Sequence, residues 1–581
     1  MNARRSNPGR WRSTTVLIAF AAMLAICTSP ALVSALTCDC GDICVNTSGW
    51  WRDGSALNGS GTPIQTAINA ASDGETIYVW NGSYTEDVNV NKRLTLVGES
   101  ADVVTVTNST ADHHVFAVTE DYVNISGFTV TGAIGVTNSY LSGIYLDGRQ
   151  HCNISNNIAL GNHYGIYIDY SSNNTILNNT AESNHYGIFP RHSSNNTILN
   201  NIAESNNRGI YLFNSSINKF LNNIANSNSY GTYLHSSSSN TFADNTFSSN
   251  GYGIRLKFSS DKNTFLNNIV DSNTNFGIYL TSSGSNTLLN NTMSGNKYNF
   301  GVDGTSLSEY IQTIYTNNTV DEKPIYYWVD HQDGQIPTDA GYVGVVNSTN
   351  ITAVNLTLTD NMQGVLFAYT ENSRIENVTA NSNFRGIYLD SSNNNTILNN
   401  DADSNIRGIY LDSSNNNLLL NNTADSNDEY GIYLTSSVNN TIQENTADSN
   451  NNYGIYLTSS SSNTIYNNHF NNTNNAYDTG NNIWNITPTE GTNIIGGSWL
   501  GGNYWSDYAG NDTEDGDGLG DVPIPYNSSG NIVNGGDYRP LLNPPEPNIT
   551  SSAPESPVND AYGTWQTFNV TVDQTVNVTW Y

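Results

Sequence analysis

Asp147 and Asp169 stand 22 residues apart, Arg191 follows after another 22, and Lys257 lies three such steps beyond it. In a structure that stacks residues 22 apart, the two carboxylates would come within about 5 Å, near the spacing of a retaining glycosidase pair. Acids that close should hold one proton between them at a raised pKa. Arg191 or Lys257 would be the basic group that a polysaccharide lyase needs beside its acids. The same column is also what a solenoid corner shows when aspartates only turn the chain or share a cation. Asp390 and Asp412 repeat it without basic neighbours, and the reading leans away from catalysis.

Three other sets carry chemistry. Asp512, Asp515, Asp517 and Asp521 sit in a Gly-punctuated stretch, D-T-E-D-G-D-G-L-G-D. Hard oxygen ligands at this spacing select Ca²⁺; the alternative is a solvated acidic turn. Cys38, Cys40, Cys44 and Cys152 favour disulfides in an exported chain, with three connectivities open; a thiolate metal site in C-D-C-G-D-I-C is the other reading. The third set is aromatic. Tyr145, Tyr167, Phe189, Tyr211 and Tyr233, then Tyr388 and Tyr410, recur two residues after a repeated glycine, with a second column just before it (Tyr164, Tyr186, Arg208, Tyr230, Tyr252). If they point outward, their faces suit sugar rings; if they stack on one another, they stabilise the sheet.

What must position these residues is a repeat. Gly143-Ile144-Tyr145-Leu146 opens a unit that returns at Gly165, Gly187, Gly209, Gly231 and Gly253, and again at Gly364, Gly386 and Gly408, with some later steps of 23 or 24. A second apolar anchor follows each glycine by eleven residues, as at Ile154, Ile176, Ile198 and Ile397. A fixed period of this size marks a solenoid. Three- and four-residue segments with alternating apolar positions, bounded by Asn and Ser, make the solenoid β. The fold class is therefore all-β, a right-handed parallel β-helix of 22–24-residue rungs. About 18 rungs at roughly 4.8 Å each would build a rod near 90 Å long. Asn at the corners tolerates left-handed backbone and can bond its own kind from rung to rung.

Along the chain, residues 1–35 read as a signal peptide: Arg4, Arg5, Arg10 and Arg12 precede an apolar run, and V-S-A is a cleavage site. Its removal takes the net charge from −31 to −35. Such an acidic chain is not expected to seek nucleic acid or to insert in a membrane after cleavage. Residues 36–75 hold the cysteines and a short amphipathic helix with Ile64, Ala67, Ile68 and Ala71 on one face, covering the open bottom of the solenoid. Residues 76–479 form the β-helix. Between Gly301 and Gly364 the period fails, and K-P-I-Y-Y-W-V-D-H-Q-D-G reads as a rung with an extruded loop. Residues 480–542 are the upper cap, 543–560 a Pro-rich linker, and 561–581 the start of a truncated β-sandwich-like domain.

I-Q-T-A-I-N-A-A-S-D-G-E-T-I-Y-V, the G-I-Y-L/S-S-N-N-T-I-L-N-N rungs, and G-N-Y-W-S-D-Y followed by D-G-D-G-L-G-D resemble the NosD-like β-helix proteins over roughly residues 62 to 542. The likeness is greatest to large exported cell-surface members found in archaea. The resemblance implies copper handling for nitrous oxide reductase, or kinship with carbohydrate-binding and sugar-hydrolysing β-helices. Copper fares poorly on chemistry. Met293 and Met362 are the methionines left after cleavage, no M-x-M pair exists, and the histidines are scattered, with only His163 and His185 at the 22-residue step.

The reading is an exported cell-surface β-helix that binds a polysaccharide or cell-surface glycan, or serves as a structural module. A lyase, hydrolase or epimerase on the same helix is the rival, and copper handling comes third. N-x-S/T tripeptides at Asn81, Asn124, Asn178, Asn214, Asn394, Asn439 and Asn548 could carry glycans, although Asn- and Thr-rich corners generate them by composition alone.

Overall fold

The computed structural model describes residues 36–110, 112–135, 141–513, 516–521 and 524–543, together with strands Ile549–Ala553 and Asn569–Val572, which pair antiparallel. The signal segment and the rest of the C-terminal linker and domain lie outside the described residues. What is described is a parallel β-solenoid. Among the described residues, helix is confined to Pro63–Ala70, the single turn Leu307–Tyr310 and a short 3-10 turn at Ser528–Gly530.

Each rung contributes short parallel strands to separate sheets, and the register is the repeat itself. Ile144, Ile166, Ile188 and Ile210 lie side by side on one sheet, and Ile154, Ile176 and Ile198 on the next. Their side chains are fully buried and fill the core. The bottom is closed by Pro63–Ala70, with Ile64, Ala67 and Ile68 buried. The carboxylate of Glu86 accepts the N–H groups of Ile64 and Gln65 at 3.0 and 2.9 Å, satisfying two donors that a helix start leaves orphaned. The Cys38–Cys44 disulfide lies beside Trp51 in this bottom segment. Cys40 is outside that bridge, and Cys152 is a buried thiol whose pKa burial pushes up to about 11.

The corners divide asparagine into two kinds. Inner asparagines such as Asn174, Asn196 and Asn218 are buried; the Asn196 Oδ1 accepts both the backbone N–H and the side-chain amide of Asn174 at 2.9 and 3.0 Å. The Asn196 amide in turn donates to Ser171 O and Asn218 Oδ1, both at 3.0 Å. Outer asparagines one residue earlier, such as Asn173 and Asn195, hold left-handed backbone with φ of 58° and 56°. The repeated glycine is required by crowding. A Cβ at Gly165 would lie 2.5 Å from Gly187 O and 3.0 Å from the Asn184 amide.

The rungs do not make one uninterrupted rod. Thr319–Val320 ends the first stack, and Lys323–Val329 pairs with it antiparallel, so the chain direction reverses at Asp321 and Glu322. Lys323–Val329 then begins a second stack, joined in parallel by Tyr342–Val346, Gln363–Ala368 and Arg385–Asp390. The expected extruded loop is thus the first rung of a second solenoid. Tyr342–Val346, Gln363–Ala368 and Arg385–Asp390 are buried on both faces. One face packs the second core through Val343, Val365 and Ile387. The other joins the first core through Tyr342, Leu366 and Tyr388, and so closes the first stack's open end. At the far end Phe470, Trp505 and Tyr526 stack at 4.9 and 4.4 Å to cap the second core.

Candidate functional site

The structure brings the first predicted column together. Asp147, Asp169, Arg191, Phe213, His235 and Lys257 are successive register partners at one edge of the first stack. The chemistry differs from the shared-proton pair expected for it. Asp169 is ion-paired with Arg191 at 3.1 Å, and the His192 Nδ1 stands 3.7 Å from its other oxygen. Asp147 accepts the Tyr145 hydroxyl at 3.2 Å. Lys257 places its ammonium over the Phe258 ring at 4.6 Å, three rungs from Arg191. His192 joins the cluster without having been singled out in sequence, since it follows Arg191 at a corner whose period carries no fixed residue type.

The aromatic ladder does run along the outer side of the sheet, yet its faces are taken. Tyr145, Tyr167, Phe189, Tyr211 and Tyr233 stack ring on ring at 5.1, 5.2, 4.8 and 5.4 Å. Tyr167 is 1% exposed and Phe189 4%. The neighbouring column packs against it, with Tyr164 5.0 Å from Tyr167 and the Arg208 guanidinium 4.5 Å over Tyr211. A sugar would meet ring edges here, because rings at rung spacing cover one another. Tyr388 and Tyr410 are withdrawn further. They belong to the junction core, where buried Arg385 pairs with Asp303 at 3.2 Å and lies 4.3 Å over Tyr388. Asp390 accepts the hydroxyls of Tyr310, Tyr388 and Ser391, and burial raises its pKa.

A concavity of about 670 Å³ opens beside Tyr230 and Tyr252 of the first stack, and another lies elsewhere. A groove of about 670 Å³ runs along a corner of the second stack, lined by Asp330, His331, Asn347, Tyr369, Glu371 and Asn393, with Gln332, Ser348, Thr349, Ser391 and Ser413. The residues come from successive rungs: Asp330, Asn347, Tyr369, Ser391 and Ser413 follow one column, and Thr349, Glu371 and Asn393 the next. His331 stacks on Trp328 at 4.8 Å. The Asn347 amide donates to Asp330 at 2.6 Å. Hydroxyls, amides, carboxylates and one tyrosine ring thus converge on a polar trough. Sequence reasoning missed it because half its residues fall where the period breaks. The one available signal was W-V-D-H-Q-D, polar and aromatic residues crowded into a broken repeat.

In the upper cap, Asp512 accepts the N–H groups of Gly516 and Gly518 at 2.9 and 2.7 Å, and Asp517 accepts that of Leu519 at 2.8 Å. Asp521 pairs with Arg539 at 3.1 Å. Asp515 lies outside the described residues. Beside this loop runs a second groove, of about 610 Å³, lined in part by Tyr504, Tyr508, Asn511 and Asp512. Two carboxylates are fully buried below it. Asp478 accepts the Trp484 indole N–H at 3.1 Å, and Asp537 that of Trp505 at 2.9 Å. Burial pushes the Asp537 carboxyl up to about 7, against the N–H donors of Asn503, Trp505 and Arg539 that favour its ionised form.

The family model described as "Periplasmic copper-binding protein (NosD)" matches residues 68–248, 124–327 and 303–510. The chain belongs to this family. A cell surface glycoprotein of Methanothermus fervidus is 33% identical over 98 residues, which are 16% of this chain and 15% of that protein. Among solved structures, the pectate lyase Pel9A aligns at a TM-score of 0.34 and 18% identity over 48% of this chain and 76% of its own. A DFA-IIIase from Arthrobacter chlorophenolicus A6 aligns at 0.34 and 13%, over 55% and 90%. The bacteriophage CBA120 tailspike protein 2 aligns at 0.32 and 13%, over 53% and 52%. At these scores the alignments carry no argument about activity.

The family's description raises copper, and the donors do not fit it. Copper(I) takes clustered thioether, thiolate or imidazole ligands. Met293, Met362 and Cys152 are buried at 0, 2 and 1% exposure in apolar surroundings. His163 and His185 do lie one above the other, rings tilted and 5.0 Å apart, and burial lowers the pKa of both imidazoles. Among the described residues, no group of three or more His, Cys, Asp or Glu side chains is placed to hold a metal ion, and no helix is long and apolar enough to cross a membrane.

Proposed function

We propose that this NosD-family solenoid is exported to the cell surface and binds a polysaccharide or cell-surface glycan in the groove of its second stack. The observation that carries the reading is the convergence of Tyr369, Glu371, Asp330, His331 and four corner hydroxyls on one open polar trough. Such a lining matches what sugars present: hydroxyls to be bonded in pairs and one apolar ring face to be covered. Binding is favoured over catalysis because the acids singled out in sequence are engaged by the protein itself. Asp169 is held by Arg191, Asp147 by Tyr145, and Asp390 by hydroxyls in the junction. The cell-surface relative and the apolar N-terminal segment support export. Ca²⁺ as a structural ion of the cap loop is proposed on the sequence of Asp512, Asp515, Asp517 and Asp521, whose oxygen ligands suit it. Asp512, Asp517 and Asp521 alone do not form a group placed to hold a metal, so the site needs Asp515.

The test is a polysaccharide array probed with the purified protein and scored for both retention and released product. Retention without product supports the reading. Product release with weak retention would replace it by an enzyme on the same fold, and loss of neither signal upon Tyr369→Ala would place any binding outside the groove.

A further inference from the structure

One corner of the second stack is marked on every other rung. Asn350, Asn372, Asn394, Asn416 and Asn439 form a single file of outer corner residues, all with left-handed backbone at φ of 50° to 57°. Their backbones are stacked: the N–H groups of Asn350 and Asn394 donate to Glu371 O and Asn415 O, one rung on. Asn350, Asn394 and Asn439 are exposed and begin N-I-T, N-N-T and N-N-T, whereas Asn372 and Asn416 begin N-S-R and N-N-L. The hydroxyl position of the tripeptide lies in the adjoining strand, where Thr352, Arg374, Thr396, Leu418 and Thr441 are consecutive register partners. The tripeptide therefore alternates along the file, placing acceptors about 10 Å apart where neighbouring rungs are about 5 Å apart. Asn347 carries the tripeptide too but stands on the neighbouring column, outside this file. The inner asparagines of this corner, Asn395, Asn417 and Asn440, cannot be acceptors, since the second residue after each is an apolar core position, Ile397, Leu419 or Ile442.

We propose that Asn350, Asn394 and Asn439 are N-glycosylation sites, and that two glycans cannot occupy adjacent rungs. A sugar ring with its hydroxyls is broader than one strand spacing, so glycans at 5 Å would collide and glycans at 10 Å would not. In the reaction the side-chain Nδ2 forms a bond to C1 of a sugar carried on a polyprenyl phosphate. The C1–O bond to the phosphate breaks, the phosphate leaves with the electron pair, and the amide gives up one proton. The donor and its transferase belong to the exporting cell. The first stack supplies an internal contrast, because Asn173 and Asn195 both begin N-N-T on adjacent rungs and touch through their side chains. That pair is limited to one glycan per molecule.

Full-length protein purified from the surface of the cells that make it should be read by intact-mass and glycopeptide mass spectrometry, alongside Leu418→Thr. This variant completes a threonine file between Thr396 and Thr441 and turns Asn416 into N-N-T, and a thermal melt checks that it folds. The expected result is glycan on the peptides holding Asn350, Asn394 and Asn439. In Leu418→Thr, Asn416 is either unmodified or modified in place of its neighbours. Bare peptides at all three wild-type sites would overturn the assignment. Single molecules with glycans on Asn394, Asn416 and Asn439 together, or on both Asn173 and Asn195, would overturn the spacing.

Discussion

Replacing Asn196 by Ala tests whether the inner asparagines hold the rungs together. Its carboxamide sits 1% exposed and makes four bonds across three rungs. Truncation leaves the backbone N–H of Asn174 without its acceptor at 2.9 Å and Ser171 O without its donor at 3.0 Å. A buried polar group left unpaired costs about 1–3 kcal/mol, so the two together predict a loss of about 2–6 kcal/mol. The control is the next residue out. Asn195 is exposed and held at φ 56°, a conformation that glycine adopts freely, and Asn195→Gly should stay within about 0.5 kcal/mol of wild type. Urea unfolding followed by circular dichroism gives the energies. Hydrogen exchange at the Asn174 amide localises the damage, since rung stacks open between neighbours. Equal stability in the two variants would refute the division into inner and outer asparagine.

Tyr167→Ala removes a ring that is 1% exposed and stacked on both sides, so it should cost about 3–5 kcal/mol, as a core aromatic does; a loss below about 1 kcal/mol in the same unfolding assay would mean the ring stands free. Asp537 gives a pH dependence with a definite sign: its folded pKa is raised from 3.8 to about 7. Its stabilising contribution is therefore fully present below about pH 4 and lost as pH rises through 7, at most ~4 kcal/mol. His114, lowered to about 4 by burial, acts in the opposite sense below its ordinary range. The readout is accordingly the melting-temperature difference between pH 5 and pH 8 in wild type against Asp537→Asn, and an identical difference in both would count against it. Chelator should lower the unfolding temperature of the cap, and Asp512→Ala with Asp517→Ala should abolish that response; a response that persists would place any Ca²⁺ elsewhere.

The period made the rungs, the core columns and the Pro63–Ala70 cap legible in sequence, because stacking repeats every inward position at a fixed interval. It said less about the outside. Tyr167 and Phe189 look alike in sequence whether solvated or stacked, and only the 5 Å rung spacing decides that their faces meet. Tyr388 shares its repeat position with Tyr167 yet lies in a different environment, since the chain reversal at Asp321 lays its sheet against the first core. The groove escaped notice for the same reason: Asp330 and His331 lie in the short first rung of the second stack, joined to the next at a 17-residue offset, as in the Ile325–Tyr342 pair. Cys38 and Cys44 were two of four candidates, and the turn between them brings their Cα atoms to 5.6 Å.

Binding in the groove is tested most directly by titrating the protein with oligosaccharides cut from whichever polysaccharide the array retains. Tyr369→Ala combined with Glu371→Gln removes one ring contact and one charged hydrogen bond, and the account predicts at least a tenfold weaker Kd, about 1.4 kcal/mol. Asp147→Asn with Asp169→Asn should leave affinity within twofold, with no product released by any form. Unchanged affinity in the groove variant, or product release by wild type that disappears in the Asp147 and Asp169 variant, would contradict it.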